Sequence, residues 1–266
     1  NENSETGDLW YLWGAQLVDG PDPLPYYRNY NGSPENVNGN EHTPSIVNGA
    51  YEFDGSEILQ IGPVPEIGDE FTVEIWFKSD THSNWQNPID CNFGSQDLLG
   101  NGVVNSGNIG PRLEINAAGN FFWAFGARLA ANDPYFATPA GNGSTGVWYH
   151  SVLTYGGGGA TDGASYLDGE FVQNSYQSTT GTAAWVGEFR NVILGRGFTL
   201  ATRYFDGQIG EVRIYPKALT AAQVSQNYNA TKTKYTNEPS DVAPKISDSA
   251  IVYNSDLLLN YDFGNR

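Results

Sequence analysis

The sequence predicts an all-β protein, a sandwich or barrel with one short helix near the C-terminus and strand-like extensions at both ends. Three observations predict it. Helical periodicity is nearly absent, short alternating apolar runs recur at roughly 8 to 15 residue intervals, and Gly, Asn, Asp and Pro separate those runs. The 266 residues include 32 Gly and 14 Pro, the chemistry that turns between short strands require.

The first 30 residues read as an appendage. An apolar run from Leu9 to Val18 precedes Pro21, Pro23 and Pro25, too rich in proline for a central strand. Trp10 and Trp13 are expected to pack in that appended strand. The main domain is placed at residues 31–230. Within it, Asp54-Gly55-Ser56 reads as a hairpin turn between Ala50 to Phe53 and Ile58 to Ile61. From Phe71 to Lys78, alternation puts Phe71, Val73, Ile75 and Phe77 in the core and turns Thr72, Glu74, Trp76 and Lys78 the other way.

Arg112 to Asn116 and Phe121 to Gly126 flank a Gly-containing connection and form a second hairpin. Trp148 to Tyr155 is a strand. After it, Ser165 to Leu167 and Glu170 to Gln173 are joined by Asp168-Gly169, a pair suited to a type I′ turn with positive φ at both central positions. Asn191 to Leu194 and Gln208 to Tyr215 complete the strands. Thr220 is the predicted cap of a helix over Ala221 to Ala230, with Val224, Tyr228 and Leu219 on one side. Residues 231–266 read as a linker containing Pro239 and Pro244, followed by a strand-like stretch from Ile251 to Phe263.

Charge restricts the partners. Thirteen Lys and Arg stand against 30 Asp and Glu, a formal net charge of -17. Such a field repels phosphate backbones and anionic lipid surfaces, so neither nucleic acid nor a membrane is an expected partner. No run approaches the eighteen apolar residues of a spanning helix, and the first residues lack the pattern of a signal peptide. Cys91, the one cysteine, cannot form an internal disulfide. The absence of Met leads us to expect a processed chain or a piece of a longer one.

The motifs in order resemble the laminin G-like or pentraxin-like branch of the concanavalin A-like lectin/glucanase superfamily. The carriers are Tyr51-Glu52-Phe53-Asp54-Gly55, Phe71 to Trp76, Trp148-Tyr149-His150-Ser151-Val152, Tyr166 to Glu170, and Phe205 to Thr220. The resemblance implies a two-sheet antiparallel jelly-roll sandwich with one concave face, and it supplies no catalytic residue. Trp13 to Gly20 with Pro25-Tyr26-Tyr27 is similar to the closing strand of jelly-roll modules of bacteriophage tail and fibre proteins. Ser255 to Asn265 resembles the opening strand of another laminin G-like unit.

Candidate chemistry is sparse. Glu52, Asp54 and Glu57 have a spacing like that by which related glucanases place a nucleophile and an acid/base, and retaining hydrolysis needs two carboxylates about 5 Å apart. A bend at Asp54 would splay them, so the chain is expected not to be an enzyme. His42, His82 and His150 lack metal-ligand spacing, Cys91 has no basic neighbour in sequence, and Gly156 to Gly159 lacks the Lys-Ser/Thr of a phosphate loop. No cofactor is required. Asp54 and Asp206, in Phe-Asp-Gly turns that match the family's pattern, are candidates for one structural calcium.

Sugar binding needs an aromatic face and a few oriented polar groups. The candidates are Trp85 among polar neighbours, Trp123 with Arg128, Tyr135 and Trp185. Against each stands the competing role of a core aromatic. The expected function is adhesion: a non-catalytic module of a virion appendage or surface fibre, at the virion surface or extracellular, meeting host glycans and other copies of itself or neighbouring virion modules. A structural fibre protein joined through its terminal strands is the rival, and a glycoside hydrolase the third reading. Asn31, Asn142 and Asn229 begin glycosylation sequons.

Overall fold

The computed structural model describes residues 45–47, 50–61, 70–82, 84–91, 108–127, 136–159, 161–177, 192–197, 203–236 and 259–262. Two antiparallel sheets form a sandwich. The first runs from edge to edge as β1 (Ser45–Val47), β2 (Ala50–Asp54), β14 (Asp206–Tyr215), β4 (Phe71–Ser79), β9 (Trp148–Tyr155), β10 (Gly163–Leu167) and β11 (Glu170–Asn174), with β15 (Leu259–Asp262) also paired to β14. The second runs as β12 (Tyr176–Gln177), β8 (Phe136–Asn142), β7 (Asn120–Ala127), β6 (Asn108–Ile115), β5 (Gln86–Asp90), β13 (Val192–Leu194) and β3 (Leu59–Ile61).

Alternation along the strands produces the core. Phe71, Val73, Ile75 and Phe77 of β4 meet Leu113 and Ile115 of β6 and Phe121, Trp123 and Phe125 of β7 in one buried cluster. Each such side chain contributes roughly 1.5–3 kcal/mol by leaving water, which is how a chain with a single buried thiol holds together. The β10–β11 turn has the expected geometry, with Asp168 at φ 51° and Gly169 at φ 81°.

Two sequence expectations need correction. Asp54-Gly55-Ser56 turns the chain, but the flanking strands do not pair with each other: β2 lies against β14 in the first sheet and β3 against β13 in the second. The bend is a crossover between layers because Phe53 and Leu59 both belong to the shared core. The helix, expected to end at Ala230, continues as α1 (Ala221–Thr236). Its last turns are held by docking: Tyr235 stacks on Trp76 at 4.5 Å between ring centroids, and Trp76 Nε1 donates to Thr231 Oγ1 at 2.9 Å.

The buried side of α1 is Val224, Asn227, Thr231 and Tyr235. Three of these four carry polar groups, which is why apolar periodicity under-reads the helix. The helix start is a capping box, in which the Gln223 N–H donates to Thr220 Oγ1 at 3.3 Å and the Thr220 N–H to Gln223 Oε1 at 2.9 Å. Thr220→Ala is expected to cost about 1 kcal/mol, read as a lowered denaturation midpoint; an unchanged midpoint would show that docking alone sets the helix start.

Within the C-terminal strand-like stretch, Leu259–Asp262 forms a strand that pairs with β14, with Ile214 opposite Leu259 and Glu211 opposite Asp262. Strand β2 covers the other half of that β14 edge, from Asp206 to Ile209.

Candidate functional site

On β6, Leu113 and Ile115 point into the core, so Arg112 and Glu114 project from the outer face of the second sheet. On β7, Phe121 and Trp123 are core, so Phe122 projects outward, directly opposite Glu114 in register. Arg112 and Asp90 are likewise cross-strand partners between β6 and β5. The Asn116 to Gly119 turn sets this register: Asn116 Oδ1 accepts the N–H groups of Ala118 and Asn120, and Gly119 adopts φ 74°.

Trp85 reaches the same surface because the residues after it are anchored. Gln86 Nε2 donates to the Thr81 carbonyl at 2.7 Å and its Oε1 accepts the Asp206 N–H at 3.1 Å, while Asn87 Nδ2 donates to the Leu113 carbonyl at 3.1 Å. With both amides buried, the indole is left 42% exposed. Its ring centroid is 6.1 Å from that of Phe122, and the Arg203 guanidinium lies 5.0 Å from it. Arg203 Nη1 donates to Glu114 Oε1 at 2.9 Å, and Arg112 Nε donates to the same oxygen at 2.5 Å. An exposed aromatic plane thus stands beside fixed donors and a fixed acceptor, the combination that holds a polyol by C–H stacking and hydroxyl hydrogen bonds.

The other predicted residues lie elsewhere. Trp123 is fully buried, its Nε1 donating to Ser151 Oγ at 3.0 Å, so it is withdrawn as a ligand platform: it bridges the two sheets. Arg128, Tyr135, Trp185, Trp10, Trp13 and His42 fall outside the described residues. Asp54 and Asp206 are cross-strand partners on β2 and β14. Asp54 Oδ1 already accepts the Ser56 N–H and hydroxyl. Among the described residues no group of three or more His, Cys, Asp or Glu is placed to hold a metal ion. Glu57, buried, turns its Oε2 back to the Asp54 N–H at 3.0 Å, while Glu52 lies on β2 beside the core-facing Phe53.

His82 Nε2 is 2.7 Å from Ser79 Oγ, and burial lowers its pKa. Cys91 is buried, and burial followed by the charge of Asp90 pushes its thiol well above the usual range. The Gly156 to Gly159 run forms the β9–β10 connection, closed by the Gly156 N–H on the Asp162 carbonyl. Asn142 is exposed, whereas Asn229 and its Thr231 lie on α1 with the threonine buried.

Beneath α1 lies a polar cluster that alternation on β4 announces only in part. Arg213 of β14 pairs with Glu74 of β4 at 3.2 Å and with Glu211. Asn227 of α1 donates to Glu74 Oε1 at 2.8 Å and to the Tyr215 hydroxyl at 3.1 Å. His150 of β9 sits 3.9 Å from Glu74, beyond hydrogen-bond reach. Burial opposes the charge on Glu74, but His150, Arg213 and Asn227 together hold its carboxyl below the ordinary range. Burial likewise opposes the Arg213 charge, and Glu211 and Glu74 overcome it. This cluster is closed to solvent and fastens the helix; the open chemistry is on the opposite sheet.

Comparison with known proteins agrees with this architecture. Residues 53–225 match the Laminin G 3 family model, described as the concanavalin A-like lectin/glucanases superfamily. A Bacteroides ovatus protein provisionally described as carbohydrate-binding has 21% identity and a TM-score of 0.50, with 80% of this chain and 50% of that one covered. The native heptameric SAP-like pentraxin of Limulus polyphemus has 17% identity and a TM-score of 0.48 over 79% of this chain and 90% of its own. The CBM40 of the Ruminococcus gnavus IT-sialidase, solved with α2,3-sialyllactose, has 16% identity and a TM-score of 0.48 over 66% of this chain and 94% of its own. No curated protein matches the sequence. With the family match spanning most of the sandwich and the two-sheet fold in agreement, the chain belongs to the concanavalin A-like lectin/glucanases superfamily.

Proposed function

We propose that this chain is a non-catalytic adhesion module that binds host cell-surface glycans through the outer face of its second sheet. The observation that carries the reading is the exposed Trp85 indole held beside Phe122, Arg203, Arg112 and Glu114. Stacking of one sugar face on an indole, with a few hydroxyl contacts, gives weak binding per site, so function calls for several copies acting together. This mode of contact needs no metal. A neighbour of the same fold that is provisionally described as carbohydrate-binding is consistent with it. The setting we propose is a virion appendage or surface fibre, exposed at the virion surface or extracellularly, on the resemblance of the terminal segments to phage jelly-roll modules.

The assembly alternative, a fibre protein joined through its terminal strands, is less favoured because Leu259–Asp262 is already engaged with β14 of its own chain. Glycoside hydrolysis is less favoured because Glu57 is committed to the Asp54 backbone and Asp54 to Ser56. The test is a glycan array with the wild type and Trp85→Ala. Binding by the wild type that falls at least about tenfold in the variant, with unchanged circular dichroism, is the expected outcome. Equal binding by both proteins would remove Trp85 from the site.

A further inference from the structure

We infer that Arg196 is an oxyanion-binding site that takes a carboxylate or a sulfate on the Nε edge of its guanidinium. The site is separate from the Trp85 platform and does not depend on the glycan reading of it. Arg196 is 7% exposed, and its Nε has no hydrogen-bond acceptor among the described residues. Nη1 makes one long hydrogen bond, 3.3 Å to the Tyr204 phenol oxygen, and the Tyr204 ring centroid lies 5.5 Å from the guanidinium. Arg112 and Arg203 pair with Glu114, and Arg213 pairs with Glu74 and Glu211. Arg196, by contrast, pairs with no carboxylate among the described residues.

A guanidinium does not discharge by losing its proton, so a buried one calls for a counter-charge. A phenol oxygen and the face of a ring supply only partial negative charge. A neutral hydroxyl would satisfy the Nε–H and leave the charge uncompensated; an oxyanion does both. On its Nε edge a guanidinium presents two parallel N–H groups, which match two oxygens of a carboxylate or sulfate. The backbone sets Arg196 on the outward side. Arg196 and Tyr204 are partners in an antiparallel bridge, held next door by the Phe205 N–H on the Gly195 carbonyl at 2.8 Å. Phe205 enters the core, so Tyr204 and Arg196 turn away from it. Tyr204 is half-buried, which puts the guanidinium one side chain below the surface. A net charge of -17 disfavours loose adsorption of anions over the rest of the molecule, so uptake requires a local cation of this kind.

The experiment is thermal unfolding of the full chain in sodium sulfate and in sodium chloride at matched ionic strength. Sulfate is expected to raise the midpoint saturably, by about 3 °C once it exceeds its dissociation constant about tenfold, and Arg196→Met to abolish that rise. Trp85→Ala is expected to leave it unchanged; its loss there would move the anion to the Trp85 cluster and overturn the assignment. Glucuronate beside glucose distinguishes the sources. A saturable rise with glucuronate, lost in Arg196→Met, assigns the site to a sugar acid, and a rise with sulfate alone assigns it to a free inorganic anion. A rise linear in salt and equal in wild type and Arg196→Met is the general exclusion of sulfate from protein surfaces and would overturn the inference, as would a wild type indifferent to both anions. If Arg196→Met does not fold, Arg196→Lys, which keeps the charge and loses the planar fork, is expected to weaken the apparent affinity about tenfold; an unchanged affinity would overturn the inference.

Discussion

Arg213→Ala is expected to lower the unfolding free energy by about 3–5 kcal/mol, the largest effect of any single charge in the described structure. Arg213 is 1% exposed and pairs with both Glu74 and Glu211, themselves buried. Removing it leaves two carboxylates in a low-dielectric layer under α1. Chemical denaturation at pH 7 reads the loss directly, and a change below about 1 kcal/mol would mean that the cluster behaves like a surface pair.

Acidification supplies an independent readout of the same network. The Glu74 carboxyl is held below its ordinary value of 4.5 in the folded protein, so the unfolded chain takes up the proton first as the pH falls. The stability Glu74 contributes is present above that unfolded value and is lost as the pH falls through the folded one. Without Arg213 one of the influences that hold the Glu74 carboxyl down is gone, so its folded-state pKa rises and the variant loses less stability than the wild type as the pH falls. The deficit of Arg213→Ala should therefore shrink on acidification, whereas a deficit that widens would place the damage in packing and not in charge.

Trp123→Ala is expected to cost about 3–5 kcal/mol, while Trp85→Ala should change stability by less than about 1 kcal/mol. Both indoles come from polar-flanked or aromatic-rich stretches of the second sheet, yet they face opposite ways. Trp123 fills the space between the sheets and donates to Ser151 of the other layer, so truncation leaves a cavity and an unpaired hydroxyl partner. Trp85 is held from outside by Phe122 and Arg203. Thermal unfolding of the two variants side by side checks the assignment, and a large stability loss in Trp85→Ala with none in Trp123→Ala would reverse it.

The strands were legible because alternation is a local signal. Phe71 to Phe77, the Asp168-Gly169 turn and the capped start of α1 all state their geometry within a few residues. The turn at Asp54 was legible as a turn but not as a crossover, since pairing partners for Leu59–Ile61 come from β13, more than a hundred residues away. Trp76 and Glu74 announce a second buried layer only once α1 is placed over them, and the polar stripe of Asn227 and Thr231 gives no apolar period to reveal it.

The site was half legible. Arg112-Leu113-Glu114-Ile115 alternates plainly enough to put Arg112 and Glu114 on one face, and the hairpin register sets Phe122 opposite Glu114. Arg203 could not be read: it joins from an irregular segment ahead of β14, through its carbonyl on the Asn87 N–H at 3.3 Å and its guanidinium on Glu114. Gln86 and Asn87 looked like loop polarity around Trp85, yet they are the buried anchors that expose it.

The central claim is that an outward-facing indole, flanked by Phe122 and by an Arg203 guanidinium tied to Glu114, is where this sandwich meets sugar. A crystal structure with an array-positive oligosaccharide bound tests it most directly. The account predicts a pyranose ring against Trp85 with hydroxyls within hydrogen-bond distance of Glu114 or Arg203; a sugar seated instead at the Asp54–Asp206 end, or on the α1 side of the first sheet, would contradict it.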